Sequence, residues 1–373
     1  MSELRVVISG GGTGGHIFPA VSIANAIKTL RPDAKILFIG AQGRMEMQRV
    51  PAAGYPIEGL PIRGFLRPLW RLGNVVVAFD YLRSKWLAKK LLRDFQPQVA
   101  VGVGGYASSA ALGAANSLGI PTLLQEQNGY AGLANKTLAR KAARICVAYD
   151  GMERFFPAEK IMKTGNPVRQ QLLETTVTRE EALAAFGLMP DKKTILLVGG
   201  SLGARTINES ILQHLDLVRQ HADTLQFIWQ TGKYYSQEID AQLAKCGQPV
   251  NLMVTDFISD MGAAYKAADL VISRAGAGSI SEFCLLGKPV ILVPSPNVAE
   301  DHQTKNALAL VNKHAALYVK DAEAPEKLLP LAIETVSDPV KLDTLHQNIL
   351  RQALPDSAAV IAKEVIKLAE NGN

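Results

Sequence analysis

The first residues that could carry chemistry form a glycine-rich segment close to the amino terminus. Residues 10–15 read GGGTGG, which satisfies GxGxxG directly after a strand-like run and directly before a helical pattern. Glycines let a backbone approach a diphosphate, and the first turn of the following helix offers N–H groups that lack helical partners. The context therefore predicts a phosphate site.

Two more glycine-rich segments, GVGGY at 102–106 and GGSLG at 199–203, also follow strand-like runs. Open α/β sheets bind their ligands at the carboxyl ends of strands. A tight structural turn would explain any one of these loops. Three loops at equivalent strand ends favour ligand binding, and we expect the site to be a cleft between two domains.

His16 comes directly after the first loop, at the start of the first predicted helix. From there a ring nitrogen could reach a substrate hydroxyl beside a bound phosphate and remove its proton as a general base. A histidine that caps or packs the end of the helix is the alternative interpretation.

A second candidate phosphate site lies in the other half of the chain, where residues 275–282 read AGAGSISE between a strand-like run and a helical pattern. Its glycines and hydroxyls could meet a diphosphate, and Glu282 could accept two hydrogen bonds from ribose hydroxyls. The alternative is a capped helix with a solvated glutamate. Arg169 could pair with phosphate oxygens or form an interdomain ion pair.

Other kinds of chemistry lack their signatures in this sequence. A nicotinamide enzyme needs an acidic residue at the end of the second strand, but this strand ends FIGAQ, with Asp33 before it and Glu46 well past it. Neither GxxxxGK followed by Ser or Thr, nor Asp-x-Asp, HExxH or CxxC occurs. We therefore expect no P-loop, no metal, no cofactor and no disulfide framework, and the three cysteines fit a reducing cytoplasm.

The elements that position these residues follow from composition and periodicity. The 373 residues are 48% hydrophobic and 20% charged, which is typical of a folded α/β protein and is long enough for two domains. Strand-like runs alternate with helical patterns, which predicts parallel sheets covered by helices. The runs span 5–9, 35–39, 99–103, 122–125, 194–198, 226–229, 269–273 and 290–293.

Both halves open in the same order of strand, glycine-rich turn and helix, at Arg5 and at Thr194, so we predict two Rossmann-like, doubly wound domains. Proline and glycine interrupt the periodicity at 165–167. The predicted N-terminal domain therefore spans 1–164 and the predicted C-terminal domain spans 165–355. A final helix at 356–373 is expected to pack back on the N-terminal domain.

Charge is divided unevenly between the halves. Residues 1–170 hold 22 basic against 10 acidic residues, whereas residues 171–373 hold 18 against 24. Such an excess predicts that the first half faces an anionic partner, and without a nucleic-acid-binding motif we favour a membrane surface over nucleic acid. The amino terminus lacks the order of a signal peptide, and no run reaches the ~20 apolar residues that cross a bilayer.

A helix with two apolar faces is predicted to follow the loop GFLRPLWR at 64–71, which adds aromatic and basic residues. One face can pack on the domain. The other is an apolar strip edged by lysines and arginines, typical of a helix that lies in a membrane interface. A helix buried on both faces is the alternative. The strip consists of Val75, Phe79, Leu82 and Trp86.

Seven segments, in order and over nearly the whole chain, resemble the MurG family, which are bacterial glycosyltransferases of family 28. The segments are GGTGGHIFPA at 11–20, GVGGYAS at 102–108, QEQNGYAGLANK at 125–136, GNPVR at 165–169, VGGSLGARTIN at 198–208, DFISDMGAAYKAADLVISRAGAGSISE at 256–282 and EDHQTKNA at 300–307. Several long and independent motifs make the resemblance specific.

The resemblance implies a GT-B fold, in which two Rossmann-like domains face each other across a cleft. It implies inverting transfer of N-acetylglucosamine from UDP-N-acetylglucosamine to the C4 hydroxyl of the N-acetylmuramoyl-pentapeptide on undecaprenyl diphosphate, the step from lipid I to lipid II in peptidoglycan synthesis. The expected location is the cytoplasmic face of the cell membrane, as a peripheral protein. UDP-N-acetylglucosamine, lipid I, the anionic membrane surface and other cell-wall synthesis proteins are the implied partners.

The resemblance also assigns the residues that contact the donor. Ile258 would line the uracil pocket with its backbone, and Glu282 would hold the ribose. Arg169 would hold phosphate, and Asn128 would orient the sugar. The full donor set is Thr13, Gly14, Gly15, Asn128, Arg169, Ser201, Ile258, Ala277, Gly278, Ser279, Ile280, Ser281, Glu282 and Gln303.

For the acceptor, the resemblance implies that His16 is the base. It also implies that the first two glycine-rich loops receive the acceptor's diphosphate, with Gly104, Gly105 and Tyr106 among the contacts. Ser201 would hold donor phosphate and Gln303 the donor sugar.

Three positions depart from the family pattern. Gly278 stands where a larger side chain is more common, and Ser279 stands where threonine is common. His302 precedes Gln303 where some members have a second glutamine, which leaves open which of the two contacts the donor sugar. A UDP-sugar epimerase or another UDP-sugar transferase would share the donor site, and a non-enzymatic membrane protein would share the apolar strip. These are the alternative functions.

Overall fold

The computed structural model describes residues 3–12, 14–64, 73–168, 172, 175–200 and 202–371. The chain divides into two compact units. Unit 1 consists of Met1–Arg169 together with Leu354–Asn373, and unit 2 consists of Gln170–Ala353. Each unit is a parallel β-sheet covered by helices.

In the described part of unit 1, seven parallel strands form one sheet in the order β3-β2-β1-β4-β5-β6-β7. Strand order reverses between β1 and β4, and the crevice at such a switch point is where open α/β sheets bind ligands. The strands are β1 Arg5–Ser9, β2 Lys35–Ala41, β3 Ile57–Leu60, β4 Val99–Gly102, β5 Thr122–Glu126, β6 Arg144–Val147 and β7 Ile161–Lys163.

The central strands of the unit 1 sheet, β1, β4 and β5, are buried almost throughout, so the sheet is covered on both faces at its centre. Val6 and Ile8 lie in one core cluster and Val7 lies in another, since successive side chains of a strand point to opposite faces. The helices that cover these faces are α1 Gly14–Leu30, α2 Glu46–Ala52, α3 Gly73–Phe95, α4 Gly105–Ser117, α5 Leu133–Leu138 and the last helix of the chain, α15 Ser357–Asn371.

Helix α15 packs against α1. Its residues Ile361, Ala362 and Val365 are buried in the same core cluster as Ile17 and Ile23 of α1. The carboxyl-terminal helix therefore completes the core of unit 1, although the rest of that unit lies at the other end of the sequence.

Unit 2 repeats the architecture, with six described strands in the order β10-β9-β8-β11-β12-β13. Its switch point lies between β8 and β11. The strands are β8 Lys193–Val198, β9 Leu225–Gln230, β10 Leu252–Thr255, β11 Leu270–Ser273, β12 Val290–Leu292 and β13 Leu317–Tyr318. The helices are α6 Arg179–Ala185, α7 Arg205–Leu212, α8 Leu215–Gln220, α9 Ser236–Cys246, α10 Met261–Ala267, α11 Ala277–Leu286, α12 His302–Val311, α13 Ala324–Val336 and α14 Pro339–Leu350.

Two parallel-sheet α/β units confirm the predicted fold class. All eight strand-like runs coincide with strands to within about two residues. The sequence did not reveal β3, β6, β7, β10 and β13, which are two to four residues long.

Candidate active site

The first two glycine-rich loops meet at the switch point of unit 1, because β1 and β4 are neighbours in the sheet. A Cβ atom on Gly10 would lie 2.0 Å from Val103 Cγ2. One on Gly105 would lie 2.7 Å from the carbonyl oxygen of Gly11. Side chains at these positions would drive the loops apart, so the glycines are what allow the close approach.

Gly104 and Gly105 also have backbone angles that other residues rarely adopt. Their φ values are 98° and 84°, and Gly104 combines its φ with a ψ of 177° just before α4 begins. That conformation is essentially restricted to glycine. The chain therefore turns sharply from β4 into α4 and places both peptide groups beside the first loop.

His16 lies in the first turn of α1, between these two loops. Its Nδ1 is 3.0 Å from the carbonyl oxygen of Gly11. A carbonyl oxygen only accepts hydrogen bonds, so Nδ1 carries the proton and Nε2 is the nitrogen that can accept one. Nε2 points toward the second loop, since a Cβ atom on Gly104 would lie 2.9 Å from it.

The surroundings of His16 keep it neutral. Burial lowers the pKa of the imidazole below its ordinary value, and the negative charges of Glu126 and Glu46 and the hydrogen bond to Gly11 oppose this effect less strongly. A histidine with a lowered pKa is unprotonated at pH 7. This arrangement can accept a proton from a substrate hydroxyl.

Two buried carboxylates beside His16 were missed by the sequence interpretation. Glu46, at the start of α2, accepts hydrogen bonds from the backbone N–H groups of Gly12 at 2.9 Å and Ala41 at 3.0 Å. From the sequence alone, Glu46 was considered only as a possible ribose ligand after β2. Its position shortly after the end of that strand was the only sequence signal for a role at the first glycine-rich loop.

The second carboxylate, Glu126, ends β5 and organises the loop that follows. It accepts hydrogen bonds from the backbone N–H and the side-chain amide of Asn128, at 3.1 and 3.3 Å. It also accepts from the backbone N–H of Gly132 and the amide of Asn135, both at 2.9 Å. The side chain of Asn128, a predicted donor contact, is therefore held by a buried anion.

Tyr106 lies beside the first loop. A Cβ atom on Gly12 would lie 3.6 Å from the Tyr106 hydroxyl oxygen, and one on Gly64 would lie 3.2 Å from its ring. Gly14 and Gly15 are the first two residues of α1. The structure thus brings the acceptor candidates Gly104, Gly105 and Tyr106 together with Gly14, Gly15 and His16.

The candidate donor site in unit 2 centres on the amino-terminal end of α11. Gly276 precedes the helix, and a Cβ atom on Gly278 would meet nothing within 4 Å, so the first turn is open on that side. Ser281 turns its hydroxyl back to the carbonyl oxygen of Ala277 at 3.0 Å, within the helix. The amino-terminal end of a helix carries partial positive charge, which suits an anion.

Glu282 is buried one turn further along α11 and accepts a hydrogen bond from the Tyr265 hydroxyl at 3.1 Å. Gln303 lies at the start of α12, and its side-chain oxygen accepts from the backbone N–H groups of Ala275 at 3.2 Å and Ser295 at 2.9 Å. It therefore joins the loops that follow β11 and β12. The sequence did not anticipate that this amide oxygen is already engaged.

The other described donor candidates also lie in unit 2. Ile258 is buried shortly after β10, and Ser279 and Ile280 lie in the first turn of α11. His302 Nε2 lies 3.9 Å from a carboxylate oxygen of Glu300. Four predicted features lie outside the described residues, namely Thr13, Arg169, Ser201 and most of the loop 64–71.

Helix α3 has the two faces that were predicted. Val77, Ala88 and Leu92 are buried in the core of unit 1. The opposite strip is 65–71% exposed at each of its four members, Val75, Phe79, Leu82 and Trp86. Such a continuous exposed apolar strip is unusual for a monomeric surface and typical of a binding face.

Among the residues that the structure describes, no group of three or more His, Cys, Asp or Glu side chains could hold a metal ion. Among the described helices, none has the length and apolar character needed to cross a bilayer.

Comparisons with known proteins concern the family of the chain. The family models for the glycosyltransferase family 28 N-terminal and C-terminal domains match residues 6–147 and 194–361. A relative from Bacteroides fragilis, named UDP-N-acetylglucosamine--N-acetylmuramyl-(pentapeptide) pyrophosphoryl-undecaprenol N-acetylglucosamine transferase, is 68% identical over 98% of this chain and 96% of its own length.

Solved structures also resemble this chain over nearly its whole length. MurG of Acinetobacter baumannii has a TM-score of 0.78 and 29% identity, covering 98% of this chain and 99% of its own. UDP-GlcNAc 2-epimerase from Neisseria meningitidis, covering 98% of this chain and 99% of its own, has a TM-score of 0.66, and at 16% identity the likeness concerns the fold alone. Because both family models match and the 68% identity extends over 98% of the chain, the chain belongs to glycosyltransferase family 28.

Proposed function

We propose that this protein transfers N-acetylglucosamine from UDP-N-acetylglucosamine to the C4 hydroxyl of the N-acetylmuramoyl-pentapeptide on undecaprenyl diphosphate. The observation that carries the proposal is the 68% identity, over 98% of the chain, to a relative named for this transfer. The orientation of His16 between two glycine-rich loops supplies the chemistry, because a neutral, half-buried imidazole can take the proton of the attacking hydroxyl.

The proposed reaction is a single displacement. As the acceptor oxygen forms its bond to the anomeric carbon, Nε2 of His16 takes the hydroxyl proton, and the bond between that carbon and the diphosphate oxygen breaks. UDP leaves with the electron pair, and the configuration inverts. We propose that the amino-terminal end of α11, together with Arg169 and Ser201, stabilises the leaving diphosphate without a metal.

In unit 2 we propose that Glu282 holds the ribose and that the backbone of Ile258 lines the uracil pocket. Gln303 uses its side-chain oxygen to hold two backbone N–H groups, so its amide N–H groups are the ones we assign to the donor sugar. Asn128, whose side chain is held by Glu126, is also proposed to orient the donor sugar.

In unit 1 we propose that Gly104, Gly105 and Tyr106 receive the acceptor's diphosphate. The exposed apolar strip of α3 would rest on the cytoplasmic face of the membrane, where the acceptor's lipid lies. Each basic residue near an anionic leaflet contributes about 1 kcal/mol, so the cations that flank the strip would add to its burial.

The direct test is transfer of labelled N-acetylglucosamine to a lipid I analogue, compared with an acceptor that lacks the diphosphate. We expect product only with the first acceptor. Formation of an epimer from UDP-N-acetylglucosamine alone would instead support a UDP-sugar epimerase. Vesicle binding without any turnover would support a non-enzymatic membrane protein.

Two variants test the assigned roles. His16→Ala should slow transfer by about 10²-fold or more while donor affinity changes little, because only the proton acceptor is lost. Glu282→Ala should weaken donor binding, and Glu282→Gln serves as its control because it keeps an oxygen for the Tyr265 hydroxyl. A normal rate for His16→Ala would remove the histidine from the role of base.

A further inference from the structure

The carboxylate of Glu46 lies beneath the first glycine-rich loop and is completely buried. A buried carboxylate is costly unless it is well hydrogen-bonded. Here one oxygen accepts from Gly12 N–H at 2.9 Å and the other from Ala41 N–H at 3.0 Å. The anion thus ties the loop that follows β1 to the end of β2.

The surrounding chain makes room for this carboxylate. A Cβ atom on Gly11 would lie 2.1 Å from the carboxylate oxygen Oε1, and one on Gly40 would lie 2.7 Å from Glu46 Cγ. Side chains at Gly11 and Gly40 would therefore displace Glu46. Gly11, in the first glycine-rich loop, and Gly40, in strand β2, thus leave the space that the carboxylate fills.

The peptide group between Gly11 and Gly12 is hydrogen-bonded at both ends. In a trans peptide the carbonyl and the N–H point in opposite directions. The N–H of Gly12 donates to Glu46, and the carbonyl oxygen of Gly11 accepts from Nδ1 of His16 at 3.0 Å. Carboxylate, peptide and imidazole therefore form one continuous chain of hydrogen bonds.

Such a chain acts on the imidazole in two ways. Hydrogen bonds in series polarise one another. A carboxylate that accepts from the N–H of Gly12 therefore makes the carbonyl oxygen of Gly11 a stronger acceptor. A stronger acceptor fixes the proton on Nδ1 and the orientation of the ring. Nε2 is then kept as the proton-accepting nitrogen.

We propose that Glu46 is a positioning residue that acts on His16 through the peptide group between Gly11 and Gly12, and so holds the base in its reactive tautomer. This inference rests on the proposed role of His16. It gives the buried carboxylate a function in transfer beyond holding the loop.

The charges around His16 agree with the proposal. Glu126 faces the ring from β5 and Glu46 from α2, and both raise the pKa of the imidazole against the effect of burial. Glu46→Gln removes one of these charges. It should therefore lower the pKa of His16 and move the acid limb of the kcat/KM profile to lower pH.

The test variant is Glu46→Gln, which keeps the shape of the side chain. Both partners of Glu46 are N–H donors, so the amide nitrogen of glutamine must face one of them without a hydrogen bond. We expect kcat to fall about tenfold or more, with KM for UDP-N-acetylglucosamine changed less than about twofold. A folded Glu46→Gln protein with the parent's kcat and pH profile would overturn the proposal.

A double-mutant cycle separates this inference from the proposed function. In a His16→Ala background, Glu46→Gln should slow transfer by no more than about twofold, because its target is gone. An equal slowing in both backgrounds would show that Glu46 does not act through His16. A His16→Ala protein as fast as the parent would instead contradict the proposed base.

Two further measurements keep the result clear of folding effects. Glu364→Gln is the matched control, since Glu364 is another buried carboxylate of unit 1, paired with Arg144 at 2.8 Å and not among the charges that shift the pKa of His16. It should lower Tm and leave kcat unchanged. Nitrogen NMR of the parent protein should show His16 protonated at Nδ1, and protonation mainly at Nε2 would refute the proposal even if Glu46→Gln does not fold.

Discussion

Replacing Gly104 by alanine tests the contact between the second glycine-rich loop and the proposed base. The backbone at this position has φ 98° and ψ 177°, a conformation that costs a residue with a side chain about 1–3 kcal/mol. The new methyl group would also lie 2.9 Å from Nε2 of His16. Ordinary contact would require the ring to move by about half an ångström, which is the limit of a productive geometry.

We therefore expect Gly104→Ala to lower kcat for transfer to a lipid I analogue by about 10- to 100-fold. Donor affinity, measured by calorimetry, should change little because Gly104 is assigned to the acceptor and not to the donor. The strain should also lower Tm by roughly 2–4 °C for each kcal/mol lost.

Gly119→Ala is the matched control in the same unit. Gly119 has a φ of 76°, and a Cβ atom there would meet nothing within 4 Å. It therefore introduces backbone strain without a collision, so Tm should fall while kcat stays at the parent value. If Gly104→Ala keeps the parent's kcat, or if both variants slow transfer equally, the placement of His16 against this loop is wrong.

Three further predictions concern pH, folding and the membrane. Since burial lowers the pKa of His16 below its ordinary value and the base must be neutral, kcat/KM should fall only on the acid side of that ordinary value; an acid limb centred above it would contradict the assignment. Thr178→Ala removes the capping box of α6 and should cost about 1 kcal/mol in denaturant unfolding, with kcat unchanged. Phe79→Gln with Trp86→Gln should weaken binding to phosphatidylglycerol vesicles by about 10²-fold or more, since full burial of such side chains contributes about 1.5–3 kcal/mol each. Val340→Gln, at an exposed apolar residue of unit 2, should leave vesicle binding unchanged.

The strands and loops that build the two sheets could be predicted because they depend on local sequence. Apolar runs of four or more residues, each followed by glycines or a helical pattern, located eight strands and the loops at their carboxyl ends. The parallel order of the sheets then placed the loops after β1 and β4 side by side. Strands as short as β13 carry no such pattern.

The partners of the site residues could not be predicted in the same way. Glu46 and Gly12 are 34 residues apart in the sequence, and no local pattern links them. Glu126 sits inside a recognised motif, but its contacts with Asn128, Gly132 and Asn135 depend on how the loop folds back. Tautomer and burial of His16 likewise follow from tertiary packing and not from its neighbours in sequence.

The position of α15 has a consequence for biosynthesis. Helix α1 is synthesised early. Ile361 and Val365, which lie in the same core cluster as α1, are synthesised only after all of unit 2. At ordinary elongation rates the synthesis of unit 2 takes roughly 10–40 s. During that interval the apolar side chains of α1 that pack against α15 remain uncovered. A chaperone that binds exposed apolar surfaces should therefore bind stalled chains that end before residue 354 and release chains that include α15.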